Sequence, residues 1–177
     1  MVRRLTVLTA LLLAVAGCGG EHPAAFNETD VMFAQMSVEH IRQGDQVVAL
    51  AEQRATDPEV TALATELRAQ WRDEAETMMG WLAQWQQPLT PAPDAGAHAG
   101  HGDLHSLRAA DIAELSAAQG ETFDRTALGL LLGHLHNGVE TARMETAGGR
   151  YPAAVDLAAA TITRRQAQVQ RMLTLMA

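Results

Sequence analysis

The chain has 177 residues, with 13 arginines and no lysine set against 21 acidic residues, and it contains one cysteine. Its formal charge of −8 argues against nucleic acid, which needs a basic footprint, and against lying flat on anionic lipid. A single cysteine excludes an internal disulfide, and the length suits one domain with a proper core.

Residues 1–17 read as a targeting segment. Arg3 and Arg4 supply its positive start, and Leu5 to Ala16 is apolar but too short to span a bilayer as a helix. Val15-Ala16-Gly17 then places small residues directly before Cys18, as in bacterial lipoprotein signals. The expected product is a chain acylated at Cys18, held on the extracytoplasmic side of a bacterial membrane, periplasmic or cell-surface. Residues 18–25 follow as a tether. Asn27 or Thr29 can cap a first helix running to about Arg54, with Asp30 in its first turn. Asp57-Pro58 is a second helix start, a cap residue followed by proline at the first helical position. Its stripe continues through Leu63, Trp71 and Met78 to about Trp85. Residues 87–120 form a Pro-, Ala-, Gly- and His-rich crossover in which Leu107 to Ala118 makes a short helix outside the bundle. A third long helix spans Glu121 to Ala147 and stops at Gly148-Gly149. Pro152 opens the fourth.

The two halves repeat one unit. His40-Ile41-Arg42-Gln43-Gly44 answers to His134-Leu135-His136-Asn137-Gly138, ninety-four residues on, and the same offset pairs Pro58 with Pro152, Leu63 with Leu157 and Met78 with Met172. Phe26-Asn27 and Phe123-Asp124 open the halves, three residues closer to the histidine in the second. The predicted fold is all-α: an antiparallel four-helix bundle over residues 26–177, built from two helical hairpins (26–86 and 121–177) joined by the crossover.

Imidazole and thioether groups then stand at matching places in each unit. Met32, Met36 and His40 are spaced i, i+4, i+8 on one stripe, and Met36 with His40 can reach one ion. Met78 or Met79 on the next helix can add a third donor. Such a set suits copper, Cu(I) above all, and serves Mg²⁺ or Ca²⁺ poorly. The competing reading makes these methionines gap-filling core and His40 a satisfied core histidine. His134 is the inward counterpart of His40; His136 faces the opposite side and lies four residues before Glu140, a surface ionic contact. His98, His101 and His105 in the crossover form a loose cluster able to take divalent ions. A di-iron oxidase centre needs Glu-x-x-His, and the residues three before the histidines from His40 onward are Ser37, Ala95, His98, Gly102, Leu131 and Gly133. No nucleophile elbow or phosphate loop appears either, so the chain reads as a non-enzyme.

The stretch from Phe26 through Met36 into His40, with Phe123-Asp124-Arg125 leading to His134, resembles the domain-of-unknown-function 305 family of ferritin-like bacterial proteins. That resemblance implies an exported, often lipid-anchored bundle, some of whose members bind copper through His and Met. Family members usually carry His-His at the centre of each odd helix, preceded by Met. Here Ile41 and Leu135 replace the second histidines, and Ser37 and Leu131 occupy the usual methionine positions. The function expected is a membrane-anchored metal binder for copper storage, buffering or tolerance, using His40, Met36, Met78, His134 and Met172. The alternative is a structural or interaction bundle whose site has decayed. Lipid through Cys18 and a metal ion are the expected partners, and a homodimer is left open.

Overall fold

A computed structural model describes residues 25–90 and 107–177. Cys18, most of the tether, and His98, His101 and His105 lie outside them. The helices are α1 (Glu28–Arg54), α2 (Pro58–Gln84), α3 (Ala109–Ala117), α4 (Gly120–Gly148) and α5 (Pro152–Met176). Among the described residues there is no strand, and no helix is long and apolar enough to cross a membrane.

Local chemistry sets the boundaries. Asn27 caps α1 in a reciprocal box: its side chain accepts from Asp30 N at 3.1 Å while Asp30 accepts from Asn27 N at 2.5 Å. Asp57 caps α2 by accepting from Glu59 N at 2.8 Å, and Pro58 and Pro152 open α2 and α5. α4 ends at Gly148-Gly149 as expected, but Gly149 keeps an ordinary negative φ. Its value is space: a Cβ there would collide with the Glu145 carboxyl.

α1 and α4 form the inner pair, each packed against its own hairpin partner, while α2 and α5 barely touch. The inner helices run antiparallel, because the start of each meets the end of the other. Asp30 on α1 accepts from Arg150 N and Tyr151 N, both at 2.9 Å, in the α4–α5 turn. Asp124 on α4 accepts from Thr56 N at 3.0 Å, Thr56 Oγ1 at 2.6 Å and Asp57 N at 2.9 Å in the α1–α2 turn. Every partner in the two sets is related by the ninety-four-residue offset. Each hairpin turn is thus locked by a carboxylate of the other hairpin, through charge-assisted bonds of about 1.5–3 kcal/mol each. This corrects the pairing of the two Phe openings. Asn27 caps a helix, whereas Asp124 lies inside one as the equivalent of Asp30, so the repeat needs no three-residue gap.

The lock at Asp30 has an extra member. Glu145 and Asp30 are both 0% exposed; their carboxyls stand close enough to perturb each other, and neither Glu145 oxygen has another hydrogen-bond partner. Burial, helped by Asp30, pushes Glu145 up to about 8, so it carries the shared proton at neutral pH. Its equivalent in the first half is Ala51.

The core falls into two clusters, one toward each end, that meet at Ile41. Buried alanines (Ala34, Ala51, Ala64, Ala127, Ala142, Ala154, Ala158) carry much of the packing, as the composition suggests. The short helix α3 is not outside the bundle. Its Leu115 is fully buried in the core cluster at that end. Arg54, lying over the Phe123 ring, donates to Ser116 O at 2.9 Å and Ala118 O at 2.7 Å. α3 closes that end as a plug.

Candidate metal centre

The His-x-x-x-Gly motif acquires its meaning where α1 and α4 cross. A Cβ on Gly44 would lie 2.5 Å from His134 Nε2 and 2.6 Å from the Trp71 ring; one on Gly138 would lie 3.3 Å from His40 Nε2. Each glycine, one turn after its own histidine, makes room for the histidine of the other repeat. The two imidazoles therefore meet at the pseudo-twofold axis, stacked with centroids 3.5 Å apart and planes within 4°. Trp71 stands edge-on to His134 at 5.6 Å.

His134 Nε2–H donates to the His40 carbonyl at 2.9 Å, which leaves its lone pair on Nδ1. That atom and His40 Nε2 are both buried without a hydrogen bond of good geometry, although the His134 backbone lies close enough to the His40 ring to oppose in part the lowering of its pKa. Burial, then the adjacent His134, holds the His40 pKa well below the ordinary imidazole value; burial foremost lowers His134 to about 4. Both rings are neutral at pH 7, the form a metal requires. They cannot share an ion as they stand. A metal sits about 2.0–2.1 Å from a ring nitrogen and near the ring plane, and two stacked parallel planes offer no common point.

The halves differ in what surrounds each ring. On the first-half side a cavity of about 30 Å³ is lined by Ser37, His40, Glu74, Met78, Thr161 and Arg165, with apolar walls. That is room for one water-sized occupant. His40 and Met78, from different helices, thus face one space. Met36, Met32 and Met79 do not line it; Ser37 holds the place beside His40. On the second-half side the equivalent positions are apolar apart from Gln168, which stands for Glu74. Leu131 stands for Ser37, Leu67 for Thr161 and Trp71 for Arg165, all buried in one core cluster with Met172. Met172 is core there. His136 is exposed, and Glu140 gives its carboxylate to Arg143 at 2.6 Å, in place of the contact expected with His136.

Sequence reasoning missed the polar wall of the cavity. Arg165 Nη2 donates to Glu74 Oε2 at 2.5 Å and Nη1 to Gln168 at 3.0 Å, with all three residues buried. Glu74 Oε1 has no hydrogen bond, though Arg164 approaches it to 3.5 Å. Burial raises the Glu74 pKa and lowers that of Arg165, each opposed by the attraction between them. The signal was available where the repeat breaks: Trp71 against Arg165, and Glu74 against Gln168, at the same offset. Among the described residues no group of three or more His, Cys, Asp or Glu could hold a metal. What remains is one imidazole and one thioether lining a small, partly open cavity, a set fit for a soft ion of low coordination number.

Solved structures share this architecture. A DUF305 protein of Streptomyces coelicolor, provisionally described as secreted, is 22% identical with a TM-score of 0.77, over 83% of this chain and 91% of that one. A DUF305 fragment from Deinococcus radiodurans is 20% identical with a TM-score of 0.73, over 85% and 96%. CopM in its Cu(II)-bound form is 24% identical with a TM-score of 0.69, over 83% and 95%, and CopM has also been solved with Cu(I) and with Ag. At these identities the likeness establishes the fold alone. No curated protein sequence matches. The sequence pattern of the domain of unknown function 305 does match, over residues 30–176, and the chain belongs to the DUF305 family.

Proposed function

We propose that this protein is a non-catalytic, extracytoplasmic metal binder, tethered to lipid through Cys18, that holds one copper ion as Cu(I) between His40 and Met78. The role is storage, buffering or tolerance. The observation that carries the reading is the buried, unpartnered His40 Nε2 beside Met78 in a cavity of about 30 Å³. A buried nitrogen without a partner costs about 1–3 kcal/mol, a cost that an occupant of the cavity removes. The likeness to CopM, crystallised with copper and silver, supports the same chemistry. His134 serves by stacking on His40 and fixing its ring.

Anaerobic competition between the bundle and a Cu(I) chelator tests this. The expected result is one equivalent bound by the wild type, with His40→Ala and Met78→Leu each losing it while remaining folded. A wild type that never competes ends the proposal. A second reading, a purely structural bundle descended from metal binders, is favoured by one observation: the cavity wall includes the buried cation Arg165. It predicts that His40→Ala changes stability and leaves metal uptake at zero in both proteins.

A further inference from the structure

We infer that the Arg165–Glu74 pair makes the His40–Met78 cavity a charge filter, admitting a soft monovalent ion and rejecting divalent ones. The inference rests on the reading of His40 and Met78 as ion ligands and adds to it the selection of oxidation state. CopM has been solved in a Cu(II)-bound form; this chain is expected not to take that ion.

The charges around the cavity decide which ion it accepts. His40 contributes no charge, since desolvation of its ring keeps it neutral, and Met78 has none to give. Glu74 is the sole carboxylate among the lining residues, and its Oε2 is already bound to Arg165 at 2.5 Å. Arg165, itself buried, is anchored further by Gln168 at 3.0 Å and Gln70 at 3.3 Å, and lies 5.7 Å from the Trp71 ring centroid. Four partners hold the guanidinium beside the cavity, so it cannot swing away when an ion arrives. Arg164 Nη1 stands 3.5 Å from the other Glu74 oxygen, so that oxygen is not an uncompensated anion awaiting a cation. An ion entering the cavity therefore meets a surrounding whose formal charge is zero or positive. The cost of charge in a low-dielectric interior grows with its square, and repulsion from Arg165 grows with the charge itself. A divalent ion pays both penalties more heavily. It also prefers several imidazoles or free carboxylates, and the cavity offers one imidazole and a carboxylate already paired with Arg165, whereas a thioether with one imidazole satisfies a monovalent soft ion.

The test measures Ag(I), Cu(I), Cu(II) and Zn(II) binding to the wild-type bundle and to Arg165→Met, with circular dichroism checking each fold. The wild type is expected to bind Ag(I) and Cu(I) at least about 100-fold more tightly than Zn(II) or Cu(II), a ratio equal to about 2.7 kcal/mol. Arg165→Met frees the Glu74 carboxylate as a third ligand and is expected to gain at least about tenfold in Zn(II) affinity. If Arg165→Met does not fold, Arg165→Gln, which also removes the cation, takes its place. A wild type that binds mono- and divalent ions equally, both lost in His40→Ala, overturns the filter and keeps the site. An Arg165→Met protein that folds and gains no divalent affinity also overturns the filter. A wild type that binds no monovalent ion overturns the site itself.

Discussion

The two repeats share a frame and differ in filling. Asp30 and Asp124 lock opposite turns with the same geometry, and Gly44 and Gly138 admit opposite imidazoles. Around His40, however, Ser37, Thr161, Glu74 and Arg165 add polar groups to the wall of a small cavity; at the positions equivalent to Ser37, Thr161 and Arg165, the second half has Leu131, Leu67 and Trp71 packed in the core. Backbone-level contacts are kept by both halves because the crossing of α1 and α4 fails without them. Side chains one layer further out are free to diverge, and there one half keeps a small cavity while the equivalent leucines of the other join the core. A duplicated bundle can thus keep its symmetry for folding while its two halves diverge in filling.

Changes at equivalent positions can break or sharpen this contrast. The largest effect is expected from truncating the filled half. Leu131→Ala removes a fully packed side chain and should cost about 3 kcal/mol in chemical denaturation. Ser37→Ala, at the equivalent position beside the cavity, should cost less than about 0.5 kcal/mol. Next comes the pair of glycines. Gly44→Ala drives a methyl into His134 and Trp71 and should destabilise by about 2 kcal/mol. Gly138→Ala meets only a tight contact with His40, and the gain of about 1 kcal/mol in helix propensity offsets it. Equal losses from both would show that the crossing is more symmetric than described.

Glu145 against Ala51 gives a pH-dependent difference. The folded pKa of Glu145, about 8, lies above its ordinary value of 4.5. The native state therefore holds a proton that the unfolded chain releases. Stability from this group is complete below about pH 4.5, declines as pH rises, and is lost above about pH 8. The buried histidines act in the opposite sense, favouring the fold as pH rises toward 6.5. Glu145→Gln keeps a donor for Asp30 without a titration, so subtracting its stability from that of the wild type cancels the histidines. The variant is expected to gain on the wild type between pH 5 and 8.5, by at least about 1 kcal/mol, in thermal melts. A difference that stays flat with pH would show that Glu145 is not the proton holder. The smallest effect on stability is expected from Ser37→Leu, which fills the cavity as the second half is filled. It should change unfolding by less than about 1 kcal/mol yet abolish Cu(I) uptake in chelator competition.

Much of the frame was readable from residues alone. Caps at Asn27 and Asp57, prolines at helix starts, and matched histidines define four helices and their pairing, because those signals are local or repeat at one offset. Three features were not. α3 joins the core through Leu115, and a nine-residue helix has too short a pattern to show which face is buried. Met36 seemed the natural neighbour of His40 by spacing, yet the crossing angle turns Ser37 toward the cavity and Met36 away from its lining. Arg165 and Glu74 carry no local signal of burial, since only a third dimension shows that each is buried against the other. In every case the missing information was rotation of a helix about its axis, which depends on how the partner helix packs.

X-ray absorption at the copper edge of the Cu(I)-loaded bundle tests the central claim most directly. One ion per chain bound by one imidazole nitrogen and one thioether sulfur, with the sulfur lost in Met78→Leu, is the result predicted. A first shell without sulfur, or one with two imidazoles, would contradict a site built on His40 and Met78 beside a stacked, non-ligating His134.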